Sequence, residues 1–348
     1  MTPRRKSIIG LAIALVVLAG AAAGVYWGGK AWLLGRRASQ IGQTELVEIA
    51  KGASLAQAAK TLAEAGIVDN ARLFQLAGRL TVDHGPIKAG EYELSPAMSA
   101  ARILGFLRSG RVKLHYVLIP EGFTLEQIAA RLGQGGIADA EQVRGLAQDP
   151  AFAAELGVKQ PTLEGYLFPD TYRFPRHLGA RAALSAMVNR YNQAWHSLAP
   201  VAEQKGWSRH KATTLAAIIQ KEAAKDEEMP LISAVYHNRL KRGMRLQADP
   251  TVIYGMGKDY CGNLTRSNLE CDTPYNTYTR TGLPPGPICS PGSGALSAAL
   301  HPADVPYLYF VAKGDGGHQF STTYSQHQKA VDAFQKKRKS RSREVSGG

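Results

Sequence analysis

A long run of uncharged residues near the N-terminus places the strongest constraint on how this chain can fold. Ser7 to Gly29 contains 23 consecutive residues without a charged side chain. Its apolar part, Ile8 to Trp27, would form a helix about 30 Å long, which matches the hydrocarbon thickness of a bilayer. Tyr26 and Trp27 close the run, as interfacial anchors do. The pattern predicts an uncleaved transmembrane helix. A signal peptide cleaved near Ala21–Ala23 is the alternative.

The net charge of +14 is concentrated at the two ends of the chain. Six basic residues lie between positions 4 and 37, where no acidic residue precedes Glu45, and six more lie between positions 336 and 343. The rest of the chain is therefore close to neutral. This distribution does not predict nucleic-acid binding, which needs a basic patch on the folded domain. Basic ends beside an apolar helix favour contact with anionic lipid headgroups.

The three cysteines do not form a metal-binding pattern. Cys261, Cys271 and Cys289 lack the C-x-x-C spacing, and the chain has no H-E-x-x-H motif. We therefore expect no metal site and no cofactor. In an oxidising compartment Cys261 and Cys271 could form a disulfide across a short loop, but the sequence does not decide the pairing.

Two segments, Glu48–Ile67 and Leu118–Ile137, repeat at an offset of 70 residues. Each copy predicts a strand, a glycine turn, a Ser or Thr N-cap and a helix closed by glycine. The duplication resembles LysM-like modules, which bind glycans that contain N-acetylglucosamine. A duplicated scaffold without a ligand is the alternative. The identical pairs are Gly52/Gly122, Leu55/Leu125, Gln57/Gln127, Ala59/Ala129, Leu62/Leu132, Gly66/Gly136 and Ile67/Ile137.

Beyond the apolar run, the order of the predicted elements indicates a mixed α+β fold without βαβ alternation. Helices are expected to dominate Ala138–Trp207, interrupted by a loop at the Pro-Asp of Leu163–Tyr172, and loops are expected to dominate from Thr251 onward. Further elements are predicted as strands at Gly90–Leu94, Arg111–Ile119, Tyr307–Ala312 and Gly316–Ser321, and as helices at Ser99–Arg108, Met229–Arg242 and from about Tyr324.

Glu222 is an acidic residue at an apolar position. In a helix over Ala212–Lys225 it follows Leu215, Ile218 and Ile219 at helical spacing, so its carboxyl lies on the apolar face. Burial disfavours ionisation, so the pKa should rise far enough for a proton to be held near neutral pH, as a general acid requires. A helix cap or an ion pair would fit the same spacing.

The residues that follow Glu222 favour a functional site. Polar, aromatic and turn-forming residues are dense in Arg245–Gly255, Tyr275–Tyr278 and Gly282–Ile288. Segments of this composition commonly form the loops of binding and catalytic sites.

Several long motifs occur in a fixed order along the chain. They are E-G-Y-L-F-P-D-T-Y, I-I-Q-K-E-A, Y-H-N-R-L-K-R-G-M-R-L-Q-A-D-P-T-V-I-Y-G, Y-N-T-Y-x-x-x-G-L-P-P-G-P-I and P-Y-L-Y-F-V-A followed by G-x-H-x-F. With these motifs nearly the whole chain resembles the MltG/YceG-like endolytic murein transglycosylases of bacteria. The resemblance implies a single-pass inner-membrane lyase with its catalytic domain in the periplasm. It also implies cleavage of the MurNAc–GlcNAc β-1,4 bond within nascent peptidoglycan strands, which leaves 1,6-anhydro-MurNAc ends and would terminate glycan elongation.

The resemblance also implies roles for individual residues and partners. The family's catalytic glutamate falls on Glu222, which would act first as acid and then as base. Penicillin-binding proteins or other glycan polymerases are the implied partners. The implied substrate-binding residues are Glu164, Tyr166, Asp170, Gln247, Asp249, Tyr254, Asn276 and Tyr278.

Two alternatives stay open from the sequence. If Asp249, Asp170 or Glu164 were a second essential carboxylate, the enzyme would be a muramidase that hydrolyses the same bond. A glycan-binding scaffold of the cell-wall synthesis complex would need no acid at Glu222. The predicted organisation is a cytoplasmic N-terminus (1–7), a transmembrane helix (8–27), a linker (28–44), a duplicated LysM-like region (45–160), a catalytic domain (161–334) and a basic disordered tail (335–348).

Overall fold

The computed structural model describes residues 3–81 and 85–336 and has the predicted mixed α+β fold. Its strands form three two-stranded sheets within the described ranges. The chain divides into two compact units. Unit one comprises the chain up to His115 together with Pro175–His177, and unit two comprises Tyr116–Phe174 and the chain from Leu178 onward. Of the predicted basic tail, only Gln335 and Lys336 lie within the described residues.

Unit one begins with one long helix, followed by two strands and three shorter helices. In chain order these are α1 (Pro3–Gly35), β1 (Glu45–Ile49), α2 (Leu55–Glu64), α3 (Ala71–Leu80), β2 (Gly90–Leu94) and α4 (Ala100–Ser109).

Helix α1 is long and apolar enough to cross a membrane over Gly10–Gly35. It continues past Trp27, where the predicted span ends, through Gly28 and Gly29 to Gly35. The end of α1 packs against α3 and α4, and Leu33 is buried in the core of unit one. The helix is therefore compatible with a single-pass membrane anchor that runs directly into the folded unit.

The core of unit one forms between a sheet and the apolar faces of its helices. Strands β1 and β2 are antiparallel, with Val47 opposite Tyr92. Val47 and Ile49 alternate with exposed residues, so one face of β1 is buried against Leu62 of α2 and its neighbours. Ser54 is the N-cap of α2, as the sequence predicts, and it forms a reciprocal capping box with Gln57.

Unit two carries the second copy of the repeat and the rest of the chain. Its elements are β3 (His115–Ile119), α5 (Leu125–Gln134), α6 (Ala140–Ala147), α7 (Pro150–Glu155), β4 (Asp170–Phe174), α8 (Ala180–His196), α9 (Ala199–Gln204), α10 (Arg209–Glu222), α11 (Met229–Lys241), α12 (Asp249–Met256), α13 (Arg266–Glu270), α14 (Ser293–Leu300), β5 (Tyr309–Ala312), β6 (His318–Ser321) and α15 (Tyr324–Val331). Short 3₁₀ turns cover Asp226–Glu228 and Gly257–Asp259, and a π-helical turn covers Asp332–Lys336.

Helix α10 is the centre of unit two. Residues Ala212–Ile219 are all buried, and the helix packs against α11 and α14. Thr213 and Thr214 are tolerated there because their hydroxyls donate 2.8 Å hydrogen bonds to the carbonyls of Arg209 and His210, one turn earlier. The buried part of α10 leads directly to Glu222, the last residue of the helix.

The second copy of the repeat belongs to the same core as α10. Ile119 and Ile128 lie in one hydrophobic cluster with Leu215. Thr124 and Gln127 repeat the capping box of the first copy. The two copies thus have the same local start, but each contributes to the core of a different unit.

The expectation of loops from Thr251 onward is wrong at three places, because α12, α13 and α14 are helices. The turn-forming residues of Arg245–Gly255, which include Pro250, favoured a loop. Pro250 instead lies in the first turn of α12, where a proline needs no N–H group and its fixed φ suits a helix.

Gly165 lets two distant motifs approach each other. Its φ is +83°, and a Cβ atom there would lie 2.3 Å from Cβ of Pro287. The E-G-Y segment that contains Gly165 therefore packs directly on the G-P-I segment that contains Pro287. No residue larger than glycine fits at position 165.

We expect Gly165→Ala to destabilise unit two by roughly 3 kcal/mol, from left-handed backbone strain plus overlap with Pro287. Gly157→Ala is a matched control because Gly157 has a φ of +75° but open space around the position of its Cβ. It should lose only about 1–2 kcal/mol. Denaturant unfolding of both variants measures the difference, and equal losses would contradict the packing explanation.

Candidate active site

An open cavity of about 440 Å³ lies in unit two beside the end of α10. It brings together residues from α10, α11, α12, β5, β6 and α15 and from the loops between them. Its lining consists of Glu222, Arg239, Gln247, Asp249, Tyr278, Phe310, Val311, Ala312, His318, His327 and Val331.

The carboxyl group of Glu222 is partly buried at the edge of this cavity. Burial raises its pKa to about 7, and the negative charge of Asp249 adds to the rise. The hydroxyl of Tyr236 donates a 3.1 Å hydrogen bond to Oε1 of Glu222. This bond and the charge of Arg239 act in the opposite direction without cancelling the effect of burial. Near neutral pH the group therefore exists in comparable amounts as acid and as carboxylate, which is what proton transfer in both directions requires.

Asp249 and Tyr278 form a hydrogen-bonded pair in the same cavity. The phenol of Tyr278 donates a hydrogen bond to Oδ1 of Asp249, the first residue of α12. Burial raises the pKa of Tyr278, so its hydroxyl stays a neutral donor. The backbone N–H of Tyr278 donates to Oδ1 of Asn276 at 2.8 Å. Asn276 is itself fully buried, and its amide donates to the carbonyls of Leu269 and Cys271, so it positions this loop and not the cavity surface.

Gln247 lines the cavity in a strained backbone conformation. Its φ is +50°, in the left-handed region that residues with a side chain rarely adopt. Its backbone N–H donates to the carbonyl of Thr277 at 3.1 Å, which ties the start of α12 to the Tyr278 loop. Strain of this kind, of order 1–3 kcal/mol, is often retained at functional sites.

Arg239 is a cavity residue to which the sequence analysis gave no role. Its side chain is buried, with Nε 2.7 Å from the carbonyl of Leu308 and Nη1 2.5 Å from the carbonyl of Leu246. The sequence signal for it was its position three residues after Tyr236, which puts both side chains on one face of α11.

His318 and His327 are further cavity residues without a role in the sequence analysis. Nδ1 of His318 lies 2.6 Å from Oε2 of Glu228, whose Oε1 accepts the backbone N–H of His318 at 2.9 Å. Burial alone would raise the pKa of Glu228, but these two hydrogen bonds bring it below its usual range. Burial lowers the pKa of His327, so that ring is neutral. His318 belongs to the G-x-H-x-F motif, whereas nothing in the sequence pointed to Glu228.

Glu164 and Tyr254 lie outside the cavity. Glu164 is buried, and both of its carboxyl oxygens lie 3.1 Å from the backbone N–H of Leu125 at the start of α5. The hydroxyl of Tyr254 donates to Oε2 of Glu164 at 3.2 Å. Burial raises the pKa of Glu164 to about 7. These contacts connect α5 to α12, and the substrate-binding roles of both residues remain predictions.

Tyr166 and Asp170 also lie outside the cavity. The hydroxyl of Tyr166 is 3.1 Å from Nδ1 of His210, and its ring is buried. Asp170 accepts a 2.7 Å hydrogen bond from Nε of Arg190. Of the eight residues that the resemblance assigns to substrate binding, Gln247, Asp249 and Tyr278 share the cavity with Glu222.

The three cysteines are free thiols in this structure. Cys261 and Cys271 are exposed, and the buried thiol of Cys289 donates to the carbonyl of Ala217 at 3.4 Å. The described part of the chain contains no group of three or more His, Cys, Asp or Glu side chains that could hold a metal ion.

Comparison with known proteins relates this chain to one family. A family model described as the YceG-like family matches residues 47–333. An endolytic murein transglycosylase of Bacillus subtilis (strain 168) is 33% identical over 305 residues, covering 83% of this chain and 84% of that protein. A protein of the same description from Streptococcus pneumoniae serotype 2 is 30% identical, and the match covers 76% of this chain and 54% of that protein.

A solved structure extends the similarity to the fold. The crystal structure of a YceG-like protein from Listeria monocytogenes is 34% identical in sequence and matches with a TM-score of 0.58. The match covers 83% of this chain and 100% of the Listeria chain.

We expect Asp249→Asn to lower the pKa of Glu222 below about 7, because the substitution removes a negative charge that opposes ionisation. Glutamate carboxyl ¹³C shifts, followed by NMR in a pH titration of the detergent-solubilised chain, measure it. Glu164 is an internal control in the same spectra, because its raised pKa comes from burial. An unchanged midpoint for Glu222 would refute the electrostatic coupling.

Proposed function

The chain belongs to the YceG-like family, and from that premise and the geometry of the cavity we propose that it is an endolytic murein transglycosylase. As such it is a lyase that cleaves the β-1,4 bond between MurNAc and GlcNAc inside a peptidoglycan strand. The observation that carries the proposal is the carboxyl of Glu222, which has a pKa of about 7 and lies in an open cavity lined by polar and aromatic side chains.

The proposed reaction needs one carboxyl group in two protonation states. In the first step, protonated Glu222 donates its proton to the glycosidic oxygen as the bond from MurNAc C1 to that oxygen breaks. In the second step, the Glu222 carboxylate takes the proton of the 6-hydroxyl of the same MurNAc while the 6-oxygen bonds to C1. One new strand end carries a 1,6-anhydro ring and the other a free hydroxyl. No water is consumed, and Glu222 is protonated again.

Asp249 has a supporting role in this mechanism. Glycosidic cleavage passes through a transition state with positive charge near C1, which a nearby carboxylate stabilises. Burial is the main cause of the raised pKa of Glu222, and the same negative charge adds to it, which favours the protonated form before the reaction. Of the three acids considered for a second carboxylate, Asp249 lines the cavity with Glu222, so the muramidase alternative depends on this residue.

We also propose that the two repeat copies are LysM-like glycan-binding modules. The matching capping boxes Ser54–Gln57 and Thr124–Gln127, each after a strand of five residues, support a common unit. Two weak contacts with one strand would raise the effective concentration of substrate at the cavity.

For the cellular setting we propose a single-pass inner-membrane protein whose cavity lies in the periplasm. Helix α1 and the peptidoglycan substrate support this location. Glycan polymerases, including penicillin-binding proteins, are the proposed partners, because a strand cut near the membrane is a strand that they are still extending.

Glu222→Gln should reduce glycan cleavage by at least about 100-fold, because the amide is nearly isosteric but cannot transfer the proton. Mass spectrometry of digested strands measures the products, since an anhydro end weighs one water less than a reducing end. Glu203→Gln, at an exposed residue of α9, is the control and should cleave normally. Substantial activity in Glu222→Gln would disprove the acid–base role. Reducing ends from the unmodified chain would favour the muramidase.

Removing the first repeat copy should weaken substrate binding and leave the chemistry intact. A chain that begins at Tyr116 keeps the second copy, whose residues Ile119 and Ile128 belong to the core of unit two. We expect a higher KM for long strands at similar kcat, because remote binding is equal in the ground and transition states. An unchanged KM in a folded fragment would show that this copy is structural.

An uncleaved anchor predicts that the mature protein retains Met1 or Thr2 and sediments with membranes. N-terminal sequencing and fractionation test both features. A soluble form that begins near Ala23 or Gly24 would identify the apolar segment as a signal peptide.

A further inference from the structure

His318 is held from two directions by a single carboxylate. Glu228 accepts the backbone N–H of His318 through Oε1 and faces ring atom Nδ1 through Oε2, at 2.9 and 2.6 Å. The imidazole packs edge-on against Phe310, with 5.3 Å between the ring centroids. Only 10% of the His318 side chain and 15% of the Glu228 side chain are exposed. The ring therefore has one orientation in a nearly enclosed position.

This arrangement also fixes the tautomer of the neutral ring. A carboxylate has no proton to donate, so both contacts require His318 to be the donor. The ring proton then resides on Nδ1, and Nε2 carries a lone pair. Nε2 forms no hydrogen bond with another residue in the described part of the chain. His318 lines the cavity that contains Glu222, so in the neutral ring this lone pair can accept a hydrogen bond from a molecule bound there.

We propose that Nε2 of His318 accepts a hydrogen bond from an amide N–H group of the bound glycan, and that Glu228 is the positioning residue that keeps Nε2 an acceptor. The inference rests on the proposed function. A fixed acceptor pairs best with a group that can only donate. A sugar hydroxyl can rotate to donate or accept, whereas an amide N–H can only donate. In peptidoglycan that group belongs to the 2-acetamido substituents or to the peptide stem on MurNAc.

Two substitutions at His318 distinguish the contributions of the two ring nitrogens. In His318→Asn the side-chain amide can still donate to Glu228 from near the position of Nδ1, but nothing replaces Nε2. We expect kcat/KM to fall about tenfold, mainly through KM, as for the loss of one buried hydrogen bond. In His318→Gln the amide oxygen can reach the position of Nε2, so part of the affinity should return. The exposed His196→Asn is the matched control and should keep the kinetics of the unmodified chain.

Glu228→Gln gives the most specific test because it preserves shape. The amide oxygen must still accept the backbone N–H of His318, so the amide NH₂ faces Nδ1. Nδ1 must then accept, and the ring proton moves to Nε2. The acceptor offered to the glycan becomes a donor, and we expect a loss at least as large as in His318→Asn. Imidazole ¹⁵N shifts report the tautomer directly, and the two nitrogens should exchange roles in this variant.

The outcomes separate this inference from the proposed function. If the unmodified chain forms no anhydro ends, the proposed function fails. If it forms them and either His318→Asn or Glu228→Gln has unchanged kinetics, the inference is wrong. Strands from which an amidase has removed the peptide stems identify the donor. If His318→Asn is still impaired on these strands, the donor is the acetamido group; if the impairment disappears, the donor is in the stem. If His318→Asn does not fold, the test is the ¹⁵N chemical shift of His318 Nε2 in the Glu222→Gln variant, measured before and after adding glycan strands. An unchanged chemical shift would overturn the inference.

Discussion

Eight consecutive residues of α10, Ala212–Ile219, are buried, and three residues later the same helix ends at Glu222. Because these eight residues are enclosed by the core, they fix the position of the partly buried last turn that follows them. The carboxyl group of Glu222 therefore has a fixed position at the cavity edge, where it is partly shielded from solvent. Its pKa of about 7 follows mainly from this burial and only secondarily from the charge of Asp249. The chemistry of the site is a consequence of how α10 is packed.

Around α10, close packing and individual hydrogen bonds connect segments that are far apart in the chain. Gly165 packs on Pro287, and Glu164 accepts the N–H of Leu125 at the start of α5. Gly292 donates its N–H to Oε1 of Gln220 at 2.9 Å, within the last turn of α10. Gly165 and Pro287 thus serve close packing, while other residues of the same set of motifs, such as Gln247 and Tyr278, line the cavity.

The sequence predicted what local rules determine and missed what depends on contacts between distant residues. Glu222 was found because helical spacing put it on an apolar face, and both capping boxes follow from neighbouring residues. Helix α12 was missed because the turn-forming residues of Arg245–Gly255 favoured a loop, although Pro250 fits the first helical turn. Glu228 and His318 are separated by 90 positions, so no periodicity could join them. Glu164 and Asp249 were both candidates for a second carboxylate, and only the structure places Asp249 in the cavity and Glu164 in the core.

The raised pKa of Glu222 also makes the stability of the fold depend on pH. In the unfolded chain this carboxyl would release its proton near pH 4.5, whereas in the folded protein it does so near pH 7. The folded state therefore binds the extra proton between these values. Stability is undiminished below pH 4.5 and falls as pH rises to 7, by roughly 3 kcal/mol in total. Glu164 has the same sign and window. At neutral pH the packing around α10 must therefore offset the free-energy cost of ionising two buried carboxyl groups.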